Sequence, residues 1–70
     1  MRKLDLHGIR HHEVRVLVED FIYMNQQNFP LEIICGNSEK MIQLVENTIR
    51  NMGVETHSFR YGVIIIDKWR

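Results

Sequence analysis

Leu31-Glu32-Ile33-Ile34-Cys35-Gly36-Asn37-Ser38 sets the architecture of this 70-residue chain. Leu31 to Cys35 reads as a short apolar strand, entered just after Pro30, through which no helix continues. Gly36-Asn37-Ser38 is a tight turn. Asn37 or Ser38 is the N-cap of a following helix, and Glu39 in its first turn suits the helix dipole. Met41, Ile42, Val45, Ile49 and Met52 recur at helical spacing as a buried stripe, and Gly53 is placed to end the helix. The centre of the chain is thus a strand, a glycine turn and a helix.

The same unit is written upstream. In Leu4-Asp5-Leu6-His7-Gly8, apolar and polar residues alternate within a strand spanning residues 2–7, and the alternation stops at a glycine. From Glu13 the period becomes helical, with Val14, Leu17, Val18, Phe21 and Ile22 on one face. This helix is expected from about His11 to Gln26. Downstream, Val54 to Phe59 is a third strand of weaker pattern. Arg60-Tyr61-Gly62 is a connection, and Val63 to Ile66 is a fourth strand closed by Asp67-Lys68. The order β-α-β-α-β-β contains two crossover helices, which imply parallel pairing of the early strands and place both helices on one face. The expected fold is α/β: a two-layer sandwich with a mixed four-stranded sheet whose last two strands form a hairpin. Residues 1–70 make one domain.

Bulk composition narrows the function classes. With 44% apolar and 26% charged residues, the chain reads as an ordinary globular domain. A formal net charge of zero removes any global basic field for nucleic acid, so anion binding must come from a local cluster. The single cysteine, Cys35, excludes an internal disulfide and suits a reducing, cytoplasmic setting. No apolar run approaches the roughly 20 residues of a membrane span, and Met1-Arg2-Lys3 leads into polar residues rather than a signal-peptide core. A core this small would gain from self-association, so monomer and homodimer both fit.

Parallel strands deliver their carboxyl ends to one edge of the sheet, where ligands of α/β proteins bind. The first strand brings Asp5, His7 and Gly8 there. Alternation puts Asp5 and His7 on one face, a pairing suited to proton transfer or to loose Mg²⁺ or Mn²⁺ binding on Asp5. The second strand brings Cys35, Gly36, Asn37 and Ser38, next to a helix N-terminus that favours a phosphate. Arg10, His11, His12 and Arg15 beside the first turn, and Lys40 beside the second, form the only dense basic cluster, which Arg2 and Lys3 extend. His7, His11 and His12 match no zinc spacing. His57 reads as a structural or surface residue, and Cys35 as a small buried filler. Trp69 and Tyr61 could stack on bases, although packing on the end of the core is the simpler use.

These motifs resemble the Smr (small MutS-related) domain family, of which the chain looks like a short, stand-alone member. Leu4 to Gly8 matches the family's opening Leu-Asp-Leu-His-Gly. Glu13-Val14 matches a pair near the start of its first helix, and Gly62 before Val63 to Ile66 fits a glycine beside a final apolar strand. The second motif, His/Thr-Gly-x-Gly, reads here as Cys35-Gly36-Asn37-Ser38. Cys35 stands for His or Thr, Asn37 for the common basic residue, and Ser38 for the last glycine. Arg10 stands where many members have a helix-capping Thr. The resemblance implies a fold similar to the C-terminal domain of a bacterial translation initiation factor, and a nucleic-acid-binding module that is often a nicking endonuclease on DNA or RNA. It implies cleavage roles for Asp5 and His7, and nucleic-acid contact by Gly36 and Asn37.

The expected function is therefore a nucleic-acid-binding endonuclease that uses an Asp5–His7 pair. Gly8, Arg10, His11, His12, Gly36, Asn37, Ser38 and Lys40 would hold DNA or RNA, with no organic cofactor. The alternatives are a non-catalytic nucleic-acid-binding module on the same edge, and a small protein-interaction or dimerisation domain.

Overall fold

Four strands and two helices form in the expected order. A computed structural model describes all 70 residues. It contains β1 (Arg2–Asp5), α1 (Val14–Met24), β2 (Leu31–Ile34), α2 (Glu39–Met52), β3 (Val54–Arg60) and β4 (Val63–Trp69). Single 3-10 turns at His11–Glu13 and Gln26–Asn28 flank α1. The sheet order is β1-β2-β4-β3. β1 and β2 are parallel, with Leu4 opposite Ile33. β4 runs antiparallel to both β2 and β3. The crossover through α2 therefore skips one strand position, and β4 fills it. This is the mixed α/β architecture the sequence predicts.

Alternation along the strands builds the core. Leu4 and Leu6, Leu31 and Ile33, and Ile64 and Ile66 meet Val14, Val18 and Ile22 of α1 and Met41, Val45 and Ile49 of α2 in one cluster. Both helices thus cover one face of the sheet. Each such aliphatic side chain contributes roughly 1.5–3 kcal/mol on full burial. Thr48 joins the buried face of α2, its hydroxyl satisfied by donation to Leu44 O at 2.9 Å. Ile42 and Met52, expected in the buried stripe, are only half-buried, because they flank the stripe that Met41, Val45 and Ile49 fill.

Several boundaries differ from the sequence pattern, each for a local reason. β1 stops at Asp5 because the chain turns at once: Ile9 N–H bonds back to Leu6 O at 3.1 Å around Gly8, whose φ is 77°. α1 stops at Met24 because Asn25 caps it, donating from Nδ2 to Phe21 O at 2.8 Å. β4 continues past Asp67-Lys68 to Trp69 because β3 pairs along its whole length. Lys68 Nζ lies 3.9 Å from Glu55, and Asp67 Oδ2 lies 2.7 Å from His57 Nδ1. His57 is thus a surface residue on an edge strand. Trp69 closes the end of the core, with ring centroids 5.5 Å from Tyr23 and 6.1 Å from Phe29. Tyr61 does not pack there; it is 66% exposed.

The start of α2 rests on Ser38, whose Oγ accepts the Met41 N–H at 3.2 Å. Ser38→Ala should cost about 1 kcal/mol in urea unfolding, the usual value of an N-cap. Ser38→Asp, which keeps the acceptor, should restore most of it.

Candidate functional site

The two glycine turns face each other across one cleft. Its lining includes His7, Gly8, His11, Gly36, Asn37 and Ser38, together with Leu6, Cys35 and Met41. β1 and β2 end side by side because they pair in parallel, and each then leaves the sheet at a glycine of positive φ, 77° at Gly8 and 75° at Gly36. The His7 ring lies against the second turn: a Cβ placed on Gly36 would sit 3.9 Å from His7 Nδ1. That is ordinary van der Waals contact, so it is the positive φ, not crowding by His7, that makes glycine the natural residue there.

The second turn carries backbone donors. No backbone carbonyl takes the N–H of Gly36, Asn37, Ser38, Glu39 or Lys40, while Met41 N–H is taken by Ser38 and Ile42 N–H by Ser38 O. Such uncommitted amides at a helix start, aligned with the helix dipole, suit a phosphate or another anion. Glu39 in the same turn opposes an incoming anion. Arg10 and Lys40 sit near the two turns, exposed and without an ion-pair partner, although neither lines the cleft.

Some expected members lie elsewhere. β1 ends at Asp5, and the Asp5 carboxylate makes no hydrogen bond to the His7 ring. The Asp5 carboxylate instead accepts the His7 backbone N–H at 2.9 Å, fixing the turn that presents the imidazole. Asp5 is thus one shell behind the cleft, with one oxygen already engaged. No group of three or more His, Cys, Asp or Glu side chains surrounds it or any other point. Loose Mg²⁺ or Mn²⁺ binding there would rest on the Asp5 carboxylate, with waters and substrate phosphate as the other ligands. His12 points away, lining a separate hollow with Glu13, Val16 and Leu17. Arg15 is paired with Glu19 at 3.1 Å. Arg2 bonds Asn25 at 2.7 Å, at the end of α1 remote from the turns, and Lys3 lies beside it on β1, so neither extends the basic cluster.

Gly62 is the site residue that motif spacing alone did not single out. It is buried, with φ at 83°, and its carbonyl accepts the Cys35 N–H at 2.7 Å. A Cβ on Gly62 would lie 2.2 Å from Gly36 O. The β3–β4 hairpin therefore buttresses the Gly36 turn from behind. The only sequence signal was a glycine just ahead of an uninterrupted apolar strand.

Cys35 fills space in the core beneath the cleft. Its side chain is buried, and desolvation, with Glu46 adding a smaller repulsion, pushes the thiol up to about 11. The unfolded thiol ionises near the ordinary value of about 8.5. Stability from this group is complete below that value and is lost as pH rises toward 11, because the unfolded state sheds its proton first. Unfolding free energies of wild type and Cys35→Ala, from urea titrations, should converge by up to about 2–3 kcal/mol across that window. Parallel curves would show that Cys35 titrates normally.

No helix is long and apolar enough to cross a membrane. A scan of protein-family models gives no match to this chain, and searches of curated proteins and of solved structures likewise give none.

Proposed function

We propose that this domain grips the phosphate backbone of DNA or RNA between its two glycine turns and cleaves it there. The observation that carries the reading is the seat of the His7 imidazole against Gly36, next to the uncommitted amides at the start of α2. Phosphate oxygens would accept hydrogen bonds from those amides, which also offset the charge that builds up on phosphorus oxygens in the transition state. Neutral His7 would take a proton from the attacking oxygen, or protonated His7 would give one to the leaving oxygen. Asp5 acts as a positioning residue through the His7 backbone. Arg10 and Lys40 supply attraction that weakens with salt. The resemblance of Leu4–Gly8 and Gly36 to the Smr motifs leads to the same reading, and the lone buried thiol suits a cytoplasmic setting.

The test is incubation with supercoiled plasmid and with structured RNA, each in Mg²⁺, Mn²⁺ and EDTA, for wild type and His7→Ala. Wild-type cleavage that His7→Ala lacks is the expected result. Equal, background-level cleavage by both overturns the hydrolase. Salt-sensitive binding without cleavage would then favour the second reading, a non-catalytic binding module. The absence of a hydrogen bond between the Asp5 carboxylate and the His7 ring is what favours that alternative.

A further inference from the structure

Next to the Gly36 turn stands the tip of the β3–β4 hairpin, which exposes two aromatic side chains around a cation. Phe59 is 68% and Tyr61 66% exposed, and the Arg60 guanidinium lies 6.0 Å from the centre of the Phe59 ring. Tyr23, the other large exposed aromatic, stacks on Trp69, whereas Phe59 and Tyr61 meet no other ring. Two such rings side by side on a small domain leave apolar area in water unless something covers it. The tip is also held in shape. The register shifts between His57 and Arg60, and the Ser58 hydroxyl donates to the carbonyls of Arg60 and Val63. Bulges of this kind re-aim side chains, often beside functional sites. Tyr61 adjoins Gly62, whose backbone approaches Gly36, so the hairpin tip is joined through one residue to the turn whose amides would hold phosphate, although it does not line the cleft itself.

We infer that Phe59 and Tyr61 stack on unpaired bases, so that the nucleic acid bound here is single-stranded, flapped or looped rather than continuous duplex. The inference rests on the phosphate-binding role proposed above and names the substrate class for that site. A ring on a hairpin tip needs an open base face, which a stacked duplex offers only at its ends. Stacking on aromatic side chains tolerates any base, because every base has a π-face. Arg60, over the Phe59 ring, adds a charge for the backbone and a flat surface for a base.

The test is fluorescence anisotropy at low salt with three labelled probes: a single-stranded dodecamer, its blunt duplex, and an abasic strand of equal length. The abasic strand keeps the phosphates and removes the stacking partners. Wild type should prefer the single strand over both other probes. Phe59→Ala/Tyr61→Ala should weaken single-strand binding about tenfold or more, as expected for loss of base stacking, and leave the abasic strand within about twofold. Tyr61→Phe, which keeps the ring, should bind like wild type. Because both side chains are exposed, the double variant should melt at the wild-type temperature. Wild-type affinity of the double variant for the single strand overturns the inference, as does an equal loss on all three probes. Failure of the wild type to bind even the abasic strand would instead remove the phosphate-binding reading on which the inference rests.

Discussion

Gly62→Ala should unfold the domain or bring it to the edge of unfolding, whereas Gly8→Ala should not. Both glycines have positive φ, which costs an L-residue about 1–2 kcal/mol. At Gly8 that is the whole penalty, because nothing lies within 4 Å of an added Cβ. At Gly62 the same Cβ falls 2.2 Å from Gly36 O and 2.9 Å from Gly36 C, which are backbone atoms that no rotamer change can move. Relief requires the two turns to separate. Separation strains the Cys35 N–H to Gly62 O bond and opens packing between β2 and β4. Overpacking and the lost bond add to the conformational cost, for a total of about 4 kcal/mol or more. A domain of this length has roughly 4–10 kcal/mol to lose. Urea titration followed by circular dichroism gives the comparison. Equal midpoints for the two variants would show that the Gly36–Gly62 approach is not a constraint.

His7→Ala should lower cleavage by about 10²–10⁴-fold, the usual contribution of a positioned acid or base. Its affinity for the nucleic acid should change little, since the amides and the basic residues are untouched. The sharper comparison is at Asp5. Because its Oδ1 accepts the His7 backbone N–H, Asp5→Asn offers the same acceptor and should stay within a few-fold of wild type. Asp5→Ala removes the acceptor, loosens the turn by about 1 kcal/mol, and should lose more activity than Asp5→Asn. Were Asp5→Asn to fall as far as His7→Ala, Asp5 would act through its charge on the imidazole and the positioning role would be wrong. Single-turnover rates with saturating protein separate these outcomes from changes in affinity.

Periodicity in the sequence places α1, β2, α2 and β4, because their buried residues recur at clear strand or helix spacing. Val14, Val18 and Ile22 mark α1, and Ile64 and Ile66 mark the inner face of β4. The two glycine turns were legible as neighbours for the same reason: parallel strands joined by a crossover must end together. What the pattern could not carry was the direction of side chains once regular structure stops. Alternation predicts a strand through His7, but the regular strand ends at Asp5, and the Asp5 carboxylate accepts the His7 backbone N–H rather than a bond from its ring. His12 and His11 are adjacent in sequence, yet a 3-10 turn sends them into different hollows. β3 had a weak signal because, after Val54, all its residues are exposed on the sheet edge. The role of Gly62 depends on a contact with Gly36 between segments far apart in the chain, and nothing local records it.

The placement of β4 between β2 and β3 has a consequence for how the domain assembles. Residues 2–34 can pair β1 with β2, and residues 54–69 can close a hairpin, but neither half has the cleft. Residues between Leu6 and Met41 line it, and its Gly36 turn is backed when the hairpin docks its inner strand along β2 and sets Gly62 behind Gly36. Ligand recognition is therefore tied to the final long-range closure step, the slow kind in chains that must bring distant segments together. A partly folded chain would present histidines, arginines and aromatic rings without the geometry to use them. Affinity for the ligand, in turn, would act as a lock on the completed sheet, because the folded chain binds it and the unfolded chain does not.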